Sequence, residues 1–458
     1  MCGIVGVYVK NGNTLDTRAS RVASLALQRM QNRGYEGAGA ASSDGTNDQF
    51  KMQHSLGLVR TSLSPAICDK LSGHMVIAQT RYSTAGKKRD LNPERNIGPL
   101  YADTAGGQIA VVHNGNLKGA TRLRDELKSE GSIFRTSTDT EVLLHLLARS
   151  GAGTFLERLK KTLPKLPVSF SFVIMTSEGL WAVRDPKAIR PLVLGGNEEM
   201  YVVASERTAL DILNVPYLRE IEGGEILGIG RNGLVRTRFA PEETPRPCIF
   251  EYVYFARPDN ENGAMMASRE EAGRLLARNH SGPKGGIVVG VPDSGLVAAS
   301  GYAEEMGLRL ELALVRDHVE SRAFMHPTAE ERAQAQLLKH ACVRQAVAGK
   351  IVTLVDDSMV RGGTSKRIAS LLRKCGAKEV HLRIASPMVV HPCYYGIDTP
   401  TFDELLAHVF GTETRMAEAV GVDSLEFLTL PELVEAVEKT SGRKSFCTTC
   451  FDGKTIHE

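Results

Sequence analysis

The chain has 458 residues, 42% hydrophobic and 24% charged, with a formal net charge of +3. That length exceeds one ordinary hydrophobic core, so two domains are expected. Basic and acidic residues are interspersed, which excludes the electrostatic footprint of a nucleic-acid binder or of a protein drawn to an anionic membrane.

The opening MCGIVGVYVK has no charged region ahead of a long apolar stretch, so it is not expected to be a secretory signal. Residues 3–9 read as a strand and residues 19–31 as a helix. HMVIAQTRYS and QIAVVHNGN read as strands running into polar turns. STDTEVLLHLLARS sets Ser and Thr before an acidic first turn and an apolar helical pattern, which marks a helix start. FSFVIMTSEGLWAVRD reads as a hairpin about Ser177-Glu178-Gly179. The first half is therefore strand-dominated, with a few helices. APEETPRP (240–247) is rich in Pro and Glu and reads as a link. Beyond it the texture changes. GGIVVGV is a buried strand followed by a helix through 297–306. LRLELALV (308–315) is a second strand and KIVTLVDD a third, followed by a Gly-rich loop and the helix SKRIASLLRKC. KEVHLRIAS is a fourth. Such alternation means a parallel sheet with helical crossovers. The apolar stretch 287–303 contains Pro292 and Asp293 and reads as strand, loop and helix rather than a membrane span. A cytosolic location is expected.

The eight cysteines are Cys2, Cys68, Cys248, Cys342, Cys375, Cys393, Cys447 and Cys450. In a long cytosolic chain they point to chemistry or metal binding before a disulfide framework. Cys2 follows only Met1. Once Met1 is removed, the Cys2 α-amine, titrating near ~7.7–8.0, lies beside its own thiol and can take its proton. Alone, Cys2 reads better as a small residue opening a buried strand. In the second half, IVTLVDDSMVRGGTS (351–365) is a buried strand ending in two aspartates, with a Gly-rich loop that opens a helix. Loop amides and helix N-termini bind phosphate, and paired carboxylates suit ribose hydroxyls or hydrated Mg²⁺. Cys447-Thr448-Thr449-Cys450 is a CxxC. By itself it is a zinc half-site, a redox pair or neither.

CGIVGVY, NRGYEGAG, TRYSTAG, HNGNL and TSTDTEV occur in the order and spacing of the class II glutamine amidotransferases, the N-terminal-nucleophile glutaminases. The resemblance covers residues 1–235. It implies that Cys2 attacks the glutamine amide and that the Asn114 side chain and Gly115 backbone N–H form the oxyanion hole. It also implies that Arg81 pairs with the substrate carboxylate and Asp139 with its ammonium. These roles suit the residue types, since an oxyanion needs preorganised donors and an amino acid needs one cation and one anion. The string 351–365 resembles the phosphoribosyl-diphosphate (PRPP) loop of type I phosphoribosyltransferases. CIFEYVYFARPD (248–259), GVPDSG (290–295), FMHPT (324–328), SPMVVHPCYYGIDTP (386–400) and DSLEFLTLPEL (423–433) extend the likeness. With them almost the whole chain resembles the amidophosphoribosyltransferase family.

That resemblance implies an α+β glutaminase domain of stacked antiparallel sheets with helices, residues 2–235. An α/β phosphoribosyltransferase domain with a parallel sheet and a C-terminal extension would follow, residues 248–458. Ser294, Asp356 and Asp357 take the Mg²⁺ and PRPP positions. Arg361, Gly362, Gly363, Thr364 and Ser365 hold the 5′-phosphate. The Arg322–Arg344 stretch closes over PRPP, with Arg322 among the substrate-binding residues. Cys248, Cys393, Cys447 and Cys450 hold a structural [4Fe–4S] cluster. The implied reaction hydrolyses glutamine and passes ammonia to C1 of PRPP, giving 5-phosphoribosylamine and pyrophosphate, the first committed step of purine synthesis. Purine nucleotides are implied as feedback inhibitors, and a homo-oligomer, dimer or tetramer, as the assembly. Neither nucleic acid nor membrane is an expected partner.

The chain departs from the family at a few places. Gly363 stands where Thr is usual in the phosphate loop, and Val319-Glu320-Ser321-Arg322 where Tyr-x-Gly-Arg is usual. Gly37 replaces a common Ser, and Lys187-Ala188 a usual Tyr-Gly. These departures raise two alternatives: a paralogue that aminates a different sugar phosphate in secondary metabolism, and a non-catalytic nucleotide-sensing regulator. Cys68, Cys342 and Cys375 fit no pattern.

Overall fold

The computed structural model describes residues 1–46, 50–82, 93–279, 282–317, 340–399 and 401–456. Two antiparallel sheets fill the first half, one seven-stranded and one six-stranded. The strand Gly3–Val9 lies inside the first sheet, between Met75–Arg81 and Met200–Ala204. It is buried throughout, as its unbroken run of small and β-branched residues requires of a central strand. Gly107–Gly115 lies in the second sheet beside Phe170–Thr176. The hairpin partner Gly179–Arg184 follows after the expected turn.

The sheets face one another. Ile4, Tyr8 and Ile77 of the first pack with Ala110, Val112 and Val173 of the second. The outer face of the first sheet is covered by the helix Arg18–Arg29, through Ala19, Ala23 and Leu27. Helices Thr140–Ala148 and Phe155–Thr162 cover the second, through Val142, Leu143 and Leu159. The result is four layers, helix–sheet–sheet–helix, with alternate residues of each inner strand feeding one of two cores.

The second half holds a five-stranded parallel sheet. Its centre is Ile351–Asp356, paired with Ile287–Gly290 and Glu379–Ile384. Helix Gly295–Met306 covers one face, and Gly363–Lys374 lies on the other. Two details differ from the sequence pattern. LRLELALV is two strands. Arg309–Leu310 joins the parallel sheet, while Leu314–Arg316 pairs with His340–Cys342 in a separate ribbon. Its alternation continues through 311–313, but the chain leaves the sheet there, with Leu312 exposed. A fifth strand, Ser424–Phe427, closes the far edge beside Glu379–Ile384. Only four residues long, it is too short for periodicity to reveal. Among the described residues no helix is long and apolar enough to cross a membrane.

A buried ion cluster joins the halves. Arg33 Nη1 donates to Glu206 Oε1 at 2.7 Å and to Glu251 Oε2 at 3.0 Å. Its Nη2 donates to Glu251 Oε1 at 2.9 Å and its Nε to the Cys2 carbonyl at 3.1 Å. The Arg33 and Glu206 side chains are fully buried and Glu251 nearly so. Burial opposes ionisation of Glu251, but Arg33 and then Arg190 outweigh it and hold the carboxyl below its ordinary range. Replacing Arg33 with Met strands two carboxylates in the interior. Loss of one partner of a buried pair costs about 3–5 kcal/mol. Arg33→Met is expected to lower the urea midpoint correspondingly, and a shift below about 1 kcal/mol would show that water re-enters to solvate the carboxylates.

Candidate active site

The strand that begins at Gly3 delivers Cys2 to one end of the sheet sandwich. The Cys2 backbone is held by Arg33, and its thiol lies 3.7 Å from the Tyr82 carbonyl. A pocket of about 390 Å³ opens beside it. Cys2, Arg81, Gly115 and Asp139 share its lining with Gln79, Asn96, His113 and Thr138. Four of the residues named from sequence thus meet in one place, although they come from four separate segments.

Each is positioned by a specific contact. Arg81 ends the strand Met75–Arg81. Its guanidinium lies 3.5 Å from Glu36 and donates to the Asn96 carbonyl at 2.5 Å. Asp139 precedes the helix Thr140–Ala148, and its Oδ2 accepts from the Leu117 N–H at 2.8 Å. Burial raises its carboxyl, but His113 and backbone hydrogen bonds from Leu117 and Thr140 prevail, so the net shift is downward. Asp139 is therefore a buried anion facing the pocket. Asn114 is fully buried, and neither its Oδ1 nor its Nδ2 has a hydrogen-bond partner. Gly115 has φ +152°, and a Cβ there would lie 2.3 Å from the Ser169 carbonyl oxygen. Only glycine fits this turn.

Sequence reading named Asn114 and Gly115 but passed over His113 just before them. His113 Nδ1 lies 3.0 Å from Thr140 Oγ1 and 3.7 Å from Asp139. It braces the anion from behind. A buried polar residue next to the Asn-Gly turn was the available signal.

The second constellation sits at the C-terminal end of the parallel sheet, where open α/β sheets bind ligands. Asp356 ends the central strand and Asp357 follows; both are buried. Ser294, at the start of helix Gly295–Met306, hydrogen-bonds Asp357 across the sheet end. The Ser358 hydroxyl donates to Asp357 at 2.6 Å. Burial nevertheless pushes the Asp357 carboxyl upward. Arg269, unremarked as a site residue in the sequence, binds the Tyr252 carbonyl at 2.8 Å and that of Ala256 at 2.6 Å. Its charge also acts on Asp357.

The helix Gly363–Lys374 begins beside these carboxylates, with Gly362 at φ +71° just before it. Thr364 and Ser365 lie in its first turn, where free N–H groups gather. Arg361 stands apart from this cradle, paired with Glu404 and half-exposed. Arg322 and residues 318–339 of the expected closing stretch lie outside the described residues.

The four remaining family cysteines also converge. Cys248 and Cys447 are joined by an isolated parallel bridge. Cys450 accepts from the N–H groups of Val390 and His391 through its carbonyl, three residues before Cys393 in the first case. Burial, and then the neighbouring thiols, push Cys447 up to about 12 and raise Cys450; burial also raises Cys248, against the Arg190 charge. Arg190 is fully buried beside them, with Nε and Nη2 unpartnered. Among the described residues no group of three or more His, Cys, Asp and Glu side chains forms a ready-made single-ion site. The donor set still fits a thiolate-bound group, because a buried cation waits where thiolate charge would gather.

Comparisons agree with this geometry. The glutamine amidotransferase domain family matches residues 87–212, and the phosphoribosyl transferase domain family residues 264–386. The chain is 39% identical over 462 residues to the amidophosphoribosyltransferase of Bacillus subtilis strain 168, covering 99% of this chain and 93% of that one. Against the amidophosphoribosyltransferase of Archaeoglobus fulgidus it is 37% identical, covering 99% and 97%. A solved structure of the B. subtilis glutamine PRPP amidotransferase, complexed with ADP and GMP, superposes with a TM-score of 0.89 at 37% identity, covering 99% of this chain and 97% of that one. The chain therefore belongs to the amidophosphoribosyltransferase family of enzymes, which join a glutamine amidotransferase to a phosphoribosyltransferase.

Proposed function

We propose that this chain releases ammonia from glutamine at Cys2 and transfers it to PRPP, giving 5-phosphoribosylamine, glutamate and pyrophosphate. The observation that carries the reading is the shared pocket of Cys2, Arg81, Gly115 and Asp139. A thiol, a cation and a buried anion around one cavity match an amide to be attacked and the two charged ends of an amino acid. With Met1 removed, the Cys2 α-amine takes the thiol proton and returns it to the leaving ammonia. The unpartnered Asn114 amide and the Gly115 N–H receive the oxyanion. We assign residues 2–235 to this half and residues 248–458 to the acceptor half.

At the acceptor site Ser294, Asp356 and Asp357 would hold Mg²⁺, which neutralises the departing pyrophosphate. Thr364, Ser365 and the amides of 362–365 would hold the 5′-phosphate, with Arg361 and Arg322 as outer contacts. A small, mostly apolar cavity lies between Tyr252, Arg269 and Asp357 and would admit ammonia beside the Asp357 carboxylate. Cys248, Cys393, Cys447 and Cys450 would hold a [4Fe–4S] cluster. The buried Arg190 guanidinium beside three of these thiols suits a ligated group that gathers thiolate charge. By analogy with the relative solved with ADP and GMP, purine nucleotides would regulate the enzyme, in a cytoplasmic homo-oligomer. Retention of both glutaminase and acceptor constellations favours this function over a non-catalytic regulator or amination of another sugar phosphate.

Substituting each site separately tests the assignment. Cys2→Ala should abolish glutamine-dependent turnover while ammonia-dependent amination of PRPP persists. Asp357→Asn should do the reverse, removing PRPP turnover but sparing basal glutaminase. Equal loss of both activities in either variant contradicts two separable sites, and full glutaminase activity on chains that retain Met1 contradicts the Cys2 α-amine as the base.

Anaerobically purified protein is expected to carry about four irons per chain. Cys450→Ser should lose that iron and unfold at lower temperature, because ligation and folding are coupled. Stoichiometric zinc in its place rejects the cluster.

Gly363 supplies a quantitative check. Its φ is not positive, and a Cβ there would meet only Arg367 Nη1, at 3.9 Å. A hydroxyl can therefore be added without strain. A hydrogen bond to a charged group contributes about 1.5–3 kcal/mol. Gly363→Thr is expected to lower the KM for PRPP roughly tenfold with kcat little changed. A raised KM would place the phosphate elsewhere.

A further inference from the structure

Two cysteines that the reaction does not use lie side by side. Cys342 ends the strand His340–Cys342, opposite Leu314. Cys375 caps the C-terminal end of helix Gly363–Lys374. Their segments are tied together on the far side of both residues. Arg344 Nη2 donates to the Lys374 carbonyl at 3.2 Å, and the Gly349 N–H donates to the Gly376 carbonyl at 2.8 Å. Cys375 Sγ lies 3.9 Å from the Cys342 carbonyl oxygen, and the two thiols act electrostatically on one another. Both are free thiols, Cys375 buried and Cys342 partly exposed.

We propose that Cys342 and Cys375 form a reversible internal disulfide when the protein meets a low-molecular-weight disulfide. Bridging needs Cα atoms within roughly 4.4–6.8 Å and side chains that face each other. A Cys375 sulfur in contact with the Cys342 backbone, on segments bonded to one another, brings the pair into that range. The chemistry balances as two exchanges. The partly exposed Cys342, as thiolate, attacks one sulfur of the small disulfide. A mixed disulfide forms and one small thiolate leaves, taking up the proton that Cys342 gave. Cys375, as thiolate, then attacks the Cys342 sulfur and expels the second small thiolate, which takes the Cys375 proton. The protein pair is oxidised by two electrons and the small disulfide is reduced to two thiols. Burial, then the Cys375 thiol, push the Cys342 thiol up to about 12, against the nearby Arg344 charge. Exchange is therefore slow, which keeps the pair reduced except under sustained oxidation.

The bridge would fasten the far end of the helix whose first turn carries Thr364 and Ser365. Placed there, it is a covalent staple on the acceptor half and lies apart from the Cys248 cluster and from Cys2.

Peptide mapping of the intact folded protein tests this. Protein held anaerobically is incubated with excess oxidised glutathione, alkylated and digested. The expected product is a peptide linking Cys342 to Cys375, two mass units lighter than the reduced pair, and reversed by dithiothreitol. Cys342→Ser and Cys375→Ser should each abolish that peptide. Glutathione remaining on Cys342 without an internal link overturns the proposal, as do links confined to other cysteines or no reaction at either position. The wild-type map alone decides, so the test survives any folding defect in the variants.

Discussion

Everything at the junction of the two halves hangs on charges placed where water cannot reach. Arg33 lies at the end of the turn after helix Arg18–Arg29 and binds three things at once: the Cys2 carbonyl, Glu206 and Glu251. An isolated buried ion costs several kcal/mol to desolvate, so none of these groups is tolerable alone. Together they balance, with Arg33 and Arg190 against Glu206 and Glu251, the Arg190–Glu251 separation being 3.6 Å. The same groups fix backbone on both sides. Glu206 also accepts from the Arg257 N–H at 3.2 Å, and Glu251 belongs to the turn whose carbonyls Arg269 binds. Cys2 and the turn beside Asp357 are thereby referred to one frame of buried ions.

A second junction runs through the cysteine cluster. Cys393 begins a tight segment that lies against the glutaminase turn. Asn116 Nδ2 donates to the Tyr394 carbonyl at 2.9 Å, and the Ser169 hydroxyl to that of Tyr395 at 3.3 Å. Gly396 is so close that a Cβ on it would lie 3.3 Å from the Gly115 carbonyl carbon. A group ligated by Cys393 would therefore brace the turn that presents Asn114 and Gly115.

Much of this was legible in the sequence, and the rest was not, for identifiable reasons. The strand Gly3–Val9, the hairpin at Ser177 and the strand ending at Asp356 follow from local hydrophobic patterns. Cys2, Arg81, Asp139 and Asp357 were named because their motifs are local strings. The Arg33 cluster was missed because its members are 173 and 218 residues apart. No periodicity encodes a contact at such range, and a buried arginine looks like a surface one until its partners are known. His113 and Arg269 were missed for a related reason. Each acts through a neighbour, His113 on Asp139 and Arg269 on the 252–256 carbonyls, so neither has a spacing of its own.

Unsatisfied polar atoms point to the same places independently of any motif. A buried donor or acceptor without a partner costs about 1–3 kcal/mol, so folds keep few of them. Among the described residues only Asn114 and Arg190 carry two such atoms each. Asn114 adjoins the pocket of Cys2, and Arg190 faces the thiols of Cys248, Cys393 and Cys447. A polar group left unpaired in an otherwise matched interior is a group whose partner is not part of the chain. The Asn114 amide lies between His113 and Gly115, both of which line the pocket of Cys2. The Arg190 guanidinium lies where charge on the thiols of Cys248, Cys393 and Cys447 would act on it. Among the described residues the two with most unpartnered atoms thus lie beside the pocket of Cys2 and beside the buried cysteines.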